Sequence, residues 1–263
     1  MNQSADALLM KLIDSHCHLD FEVFDSDRAE VMARAAAAGV SAIVIPGVRA
    51  NGWEKIHALC AGDTRLYACY GLHPYFVGEH RHADLDRLEA WVGQHDCVAI
   101  GECGLDLRTG QAEAKDQLHY FSAQLDIAAA HDRPVVIHAV RATAQVIDLL
   151  NNYPAVRGMI HSYSGSYEQA KQLVERGFYI SLGGAVTYDN ARRVRAVAAQ
   201  LPLSSLLIET DAPDQPDADH FAQRNEPAYL TNVLDSLCAL RPESRDEIAA
   251  KTSANARALF GIE

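Results

Sequence analysis

A chain of 263 residues that is 49% hydrophobic and 22% charged has room for one sizeable buried core and lacks the bias of a disordered or fibrous polymer. Its formal charge of −12 argues against extended duplex binding, which needs clustered Lys and Arg to neutralise many phosphates. No segment approaches the roughly 18 uninterrupted apolar residues of a membrane span. The first ten residues carry Asp6 and no basic start, so a secretory leader is not expected and a cytoplasmic location is.

Short apolar runs rich in Val, Ile and Leu alternate with helical patterns along the whole chain. The runs are Leu12–Ser15, Ser41–Ile45, Leu66–Gly71, Val98–Gly101, Val135–Ile137, Gly158–Ile160, Phe178–Leu182 and Leu206–Glu209. Between the fourth and fifth, Leu118, Phe121, Leu125 and Ala129 recur at helical spacing and predict one buried face. A last helix is expected between Pro242 and Phe260. Such alternation implies parallel strands joined by crossover helices. Eight units of about 33 residues fit a closed TIM-like (β/α)8 barrel better than an open doubly wound sheet. No low-complexity linker interrupts the chain, so one domain is expected over residues 1–263, with 1–10 as a flexible extension.

The polar residues that punctuate these runs carry the chemistry. His16 and His18 follow the first run, Glu102 the fourth, His138 ends the fifth, His161 follows the sixth and Asp211 the eighth. On an extended backbone residues i and i+2 share a face, so His16 and His18 can grip one cation. Each residue has a structural alternative. Glu102 could open a helix, Asp211 could cap one, and the histidines could be satisfied core residues. Those alternatives do not explain why all six fall at strand C-termini, where active sites of a barrel are built. The set exceeds what one tetrahedral ion needs and fits two metals roughly 3.5–4 Å apart, with Glu102 as the bridge. Asp211 would ligate one metal and take the proton of the attacking water.

Several other chemistries lose support. The chain has no G-x-G-x-x-G, no G-x-x-x-x-G-K-[ST], no H-E-x-x-H and no G-x-S-x-G. Ser162-Tyr163-Ser164-Gly165 reads as a helix cap and turn rather than a nucleophile loop. The six cysteines lack C-x-x-C spacing and are expected to be free thiols. Cys17 and Cys103 flank candidate ligands, and a space-filling role is favoured over a reactive one because no basic partner adjoins them. Arg192, Arg193 and Arg195 form the densest basic group, read as a solvated helix face beside the active end of the barrel.

Taken together, these motifs identify the chain as similar to the TatD family of metal-dependent hydrolases, deoxyribonuclease-like enzymes of the amidohydrolase superfamily. The similarity rests on Asp14-Ser15-His16-Cys17-His18, Gly71-Leu72-His73-Pro74 and Ala99-Ile100-Gly101-Glu102-Cys103-Gly104-Leu105-Asp106. It continues through Pro134-Val135-Val136-Ile137-His138, His161-Ser162-Tyr163-Ser164-Gly165, Leu207-Ile208-Glu209-Thr210-Asp211-Ala212-Pro213 and Arg224-Asn225-Glu226-Pro227. Leu105-Asp106-Leu107, Gly183-Gly184 and Leu201-Pro202-Leu203 resemble the YjjV-like subgroup most. The resemblance implies a TIM-like barrel and a dinuclear site held by His16, His18, Glu102, His138, His161 and Asp211. One departure follows His138, where the family usually has a serine and a basic residue but Ala139 and Val140 precede Arg141.

The expected activity is hydrolysis of DNA phosphodiesters on short single strands or frayed ends, with the 3′-to-5′ direction implied by the resemblance alone. His73 and Arg141 would steady a phosphate oxygen, unless they are a packed loop histidine and a surface arginine. The metal could be zinc, magnesium or manganese. No obligate protein partner is evident. The alternatives are a superfamily enzyme cleaving an amide, lactone or ester, and a non-catalytic metal-binding protein.

Overall fold

Eight strands form one parallel sheet whose order follows the chain: β1 Leu12–Asp14, β2 Val40–Pro46, β3 Leu66–Tyr70, β4 Ala99–Asp106, β5 Val135–Val140, β6 Gly158–Ile160, β7 Tyr179–Leu182 and β8 Leu206–Ile208. Backbone bonds from Ser15 N to Ile208 O (3.1 Å) and from Asp211 N to His16 O (2.9 Å) join the last strand to the first. The sheet therefore curls into a nearly closed barrel, as the alternation predicts. The computed structural model describes residues 11–108, 110 and 112–262; the extension expected over 1–10 lies outside them.

Helices α1 Arg28–Ala37, α2 Trp53–Gly62, α3 Ala83–Gln94, α4 Ala114–Ala130, α5 Thr143–Leu150, α6 Tyr167–Glu175, α7 Arg192–Gln200, α8 Leu230–Leu240 and α9 Arg245–Phe260 surround it. Local sequence sets their ends. Ser166 and Gln169 form a reciprocal cap at the start of α6, as Ser244 and Glu247 do for α9. The cap of α6 is thus Ser166, downstream of the Ser162–Gly165 turn. Among the described residues no helix is long and apolar enough to cross a membrane.

Two differences from the periodicity are instructive. Helix α4 buries Gln117, Phe121, Gln124, Leu125 and Ala128 rather than Ala129, which is exposed. Polar side chains occupy this face because backbone at and just beyond the strand ends needs partners. Gln117 accepts from Asp106 N at 2.7 Å and donates to Asp106 O at 2.9 Å; Gln124 does the same for Leu72, at 2.8 and 3.0 Å. Second, β4 runs on to Asp106, so Glu102 lies inside a strand and not after it. Its pairing with β5 shifts register between Ile100 and Cys103. Gly101 sits there at φ +148°, where a Cβ would meet Val136 O at 2.6 Å, so only glycine fits.

The interior of the barrel divides along its axis. Ile13, Val44, Cys69, Ala99, Val136, Met159 and Leu207 fill the end at which the strands begin, and Leu259, Phe260 and Ile262 close it from below. The opposite end is polar.

Candidate metal centre

Glu102 stands at the middle of that polar end, 1% exposed, because the bulge at Gly101 turns it inward while its backbone N–H donates to Gly47 O at 2.9 Å. Its two oxygens face different neighbours. Oε2 lies 3.2 Å from His16 Nε2 and 3.4 Å from His18 Nε2. Oε1 lies 2.7 Å from His161 Nε2, 2.8 Å from His73 Nε2 and 2.9 Å from His138 Nδ1. Asp211 Oδ1 completes the first side, at 3.3 Å from His16 Nε2 and 3.6 Å from His18 Nε2. The structure thus brings together all six residues singled out as ligands, and adds His73.

The strand ends are interlocked so that these groups converge. Asp14 at the end of β1 accepts from Thr210 N (3.0 Å), Thr210 Oγ1 (2.6 Å) and His16 N (3.3 Å), fixing the residue before Asp211 against the residues before His16. Asn225 donates to Thr210 O and Asp214 O, both at 2.8 Å. Its neighbours Arg224 and Glu226 pair with Asp27 and Arg34, at 2.6 and 2.7 Å, which ties the loop after β8 to α1. Asp211, Ser162 and Arg141 adopt left-handed φ of 58°, 41° and 54°. Backbone conformations uncommon for non-glycine residues tend to cluster at functional sites.

Proton positions sort the histidines into kinds. His138 Nε2 lies 3.1 Å from Asp106 Oδ2, an acceptor, so that nitrogen carries a proton and Nδ1, which faces Glu102, is the nitrogen left for a metal. His73 Nδ1 accepts from Tyr75 N at 2.9 Å. Its proton is therefore on Nε2, which makes His73 a donor toward Glu102 rather than a metal ligand. Burial lowers His73 to about 4 and also lowers His16, so both are neutral at ordinary pH. Burial opposes the charge on His18 as well, but Glu102 and Asp211 beside it raise it to about 9. Burial would raise Asp106, and hydrogen bonds from His138 and Arg108 hold it well below the usual range instead.

The donor set fits divalent metal. Glu102 Oε2 is buried beside two imidazoles yet aligned for a hydrogen bond with neither, and it has no partner. His16 Nε2 and His18 Nε2 lie 3.3 Å apart, close enough for both to bind one cation through their lone pairs. Among the described residues His16, His18 and Glu102 form one group close enough to hold an ion, His16, His161 and Glu209 another, and His73, Glu102 and His138 a third, in which the proton on His73 Nε2 leaves Glu102 and His138 as the donors. These groups open into a cleft of about 690 Å³ lined by Phe21, Tyr75, Arg108, Ser162 and Asp214 among others.

Sequence reasoning overlooked Glu209, Asp106 and Arg108. Glu209 is fully buried, lies 3.5 Å from His161 Nδ1 and accepts from Ser162 N. Its spacing to Asp211 repeats that of His16 to His18, the signal that would have found it. Asp106 belongs to the motif around Glu102 but carries no periodic signature. Arg141 is exposed and is not among the residues lining the cleft; the guanidinium there is Arg108, bonded through Nε to Asp106 at 2.9 Å. Cys17 and Cys103 are buried, and burial raises both thiols, in keeping with space-filling roles. All six cysteines are free.

A parallel barrel with histidines and carboxylates gathered at its C-terminal end defines a metal-dependent hydrolase. Residues 13–261 match the model of the TatD related DNase family, and the chain belongs to that family. It is 37% identical over 258 residues to the uncharacterized metal-dependent hydrolase YjjV of Escherichia coli K12, covering 97% of this chain and all of the relative. The crystal structure of that TatD homologue superimposes with a TM-score of 0.94 over 97% of this chain and 100% of its own. The 3′-5′ ssDNA/RNA exonuclease TatD of Salmonella typhimurium is 34% identical over 259 residues, 95% of this chain and 99% of the relative.

Proposed function

We propose that this hydrolase cleaves DNA phosphodiesters with two divalent ions per chain, working 3′ to 5′ on single strands or frayed ends. The observation that carries the two-ion reading is the division of Glu102, one oxygen toward His16, His18 and Asp211 and the other toward His138 and His161. His16, His18, Glu102 and Asp211 would hold one ion; Glu102, His138 and His161 would hold the other. Histidine-rich ligation suits zinc, and the carboxylates also admit magnesium or manganese. Identity to a relative named as a 3′-5′ ssDNA/RNA exonuclease supports the substrate and direction.

When bound, such ions neutralise charge on the phosphoryl group and make water more acidic. The remaining work falls to the chain. Asp211, beside the open cleft, accepts the proton of the attacking water. His73 donates its Nε2–H to Glu102 and holds that carboxylate in place rather than a phosphate oxygen, and Arg108 donates from its guanidinium to phosphate oxygens. Asp106 fixes the His138 tautomer. Phe21, Tyr75 and Phe76 wall the cleft and limit water around the reacting phosphate.

The test is metal-reconstituted protein on single-stranded DNA labelled at either end, with a simple aryl phosphodiester alongside. Shortening from the 3′ end, loss on chelation and two ions by elemental analysis are expected. Intact phosphodiesters together with hydrolysis of an amide, lactone or ester would replace this reading with the acyl-cleaving alternative.

A further inference from the structure

The cleft continues past the metal-type side chains. A shallower groove of about 470 Å³ adjoins it, and Ala185 and Gln215 line both. Tyr188, Pro216 and Phe221 make its walls apolar. Phe221 is 72% exposed, in the long loop after β8, where its ring contributes little to the core. The ring is nonetheless held in place. Tyr188 meets it edge-on, with centroids 6.5 Å apart and planes at 80°, and Tyr188 Oη donates to Pro216 O at 2.9 Å. Of the other exposed large hydrophobics among the described residues, Tyr75 lines the cleft itself, and Val23 stands in the loop after β1. Past the groove, exposed Arg192 and Arg193 begin α7. Neither forms an ion pair among the described residues, whereas Arg195 lies 3.7 Å from Asp189.

We infer that this groove is a stacking platform for a nucleobase next to the scissile phosphate, with Phe221 as its face and Arg192 and Arg193 answering the adjoining phosphate. The inference rests on the nuclease reading above and specifies how that site holds its strand. A chain of net charge −12 gains little affinity from many phosphate contacts. An aromatic face accepts any base, and stacking one base on it is worth on the order of tenfold in binding. The continuity of groove and cleft through Ala185 and Gln215 selects this occupant over an unrelated protein partner, because a strand entering the metal centre must leave it along one of its walls.

The test compares wild type, Phe221→Ala and Phe221→Tyr, all manganese-loaded, on single-stranded DNA and on an aryl phosphodiester. Phe221→Ala is expected to raise KM for DNA by about tenfold with kcat nearly kept, while aryl phosphodiester turnover stays unchanged and Phe221→Tyr restores KM. The increase should persist from about 50 to about 200 mM salt, unlike a phosphate contact. An abasic residue moved along the DNA should weaken wild type at one position and add nothing to Phe221→Ala. Wild-type KM in the alanine variant, with DNA still cleaved, overturns the platform and leaves the nuclease reading intact. Failure of wild type to cleave any DNA while it hydrolyses the aryl phosphodiester overturns both.

Discussion

The two ends of the barrel are built on opposite rules. Where the strands begin, Ile13, Val44, Val136, Met159 and Leu207 are packed against Leu259 and Phe260, burial that stabilises by roughly 25 cal/mol per Å² of apolar surface. Where they end, the same strands bury His16, His18, Glu102, Asp106, His138, His161, Glu209 and Asp211, groups whose removal from water costs energy unless each finds a partner. Several do not, since Glu102 Oε2, Glu209 Oε2 and the Nδ1 atoms of His16, His18 and His161 lack hydrogen bonds. One end supplies stability, and the other consumes part of it to hold a charge arrangement that a divalent cation would complete. Neighbouring residues on one strand can therefore differ wholly in what a substitution does.

The largest expected effect tests the closed end. Phe260→Ala should cost about 3–5 kcal/mol of stability by opening a cavity beneath the barrel, with turnover per folded molecule unchanged; denaturant unfolding and active-site titration measure the two quantities. A drop in turnover at constant folded fraction would couple the ends and break the comparison.

Glu102→Gln probes the open end with nearly the same shape and no negative charge. Turnover should fall on the order of a hundredfold or more, while the metal-free melting temperature moves little. Near-normal turnover would make Glu102 a structural carboxylate. Asp106→Asn, which weakens the acceptor that orients His138, should loosen metal binding by about tenfold or more without unfolding the protein. Competition with a chelator reads this directly, and unchanged affinity would remove Asp106 from the centre.

A further test of the open end is pH. His18 is raised to about 9, so in the metal-free protein it keeps its proton below that pH, and an ion must displace it. Metal affinity should therefore keep rising above the ordinary histidine value of about 6.5 and level off only near 9, a gain on the order of a hundredfold between them. A plateau at 6.5 would show that Glu102 and Asp211 do not hold the His18 proton.

By itself the sequence determined the period of the fold and the identity of most of the site. Alternating apolar runs and helical faces define eight β/α units because burial imposes those spacings locally. The six residues at the ends of runs are legible because histidine and carboxylate are costly among Val and Ile, and the i, i+2 spacing of His16 and His18 shows on its own. What required tertiary structure depends on contacts across the chain. Only the pairing of β4 with β5 reveals that Gly101 makes a bulge and that Glu102 lies within a strand with its oxygens divided. Gln117 and Gln124 break the apolar face of α4 because Asp106 and Leu72 lie beside them in space. Arg108 lines the cleft and Arg141 does not, because backbone direction after β4 and β5 aims a side chain, and composition carries no record of direction.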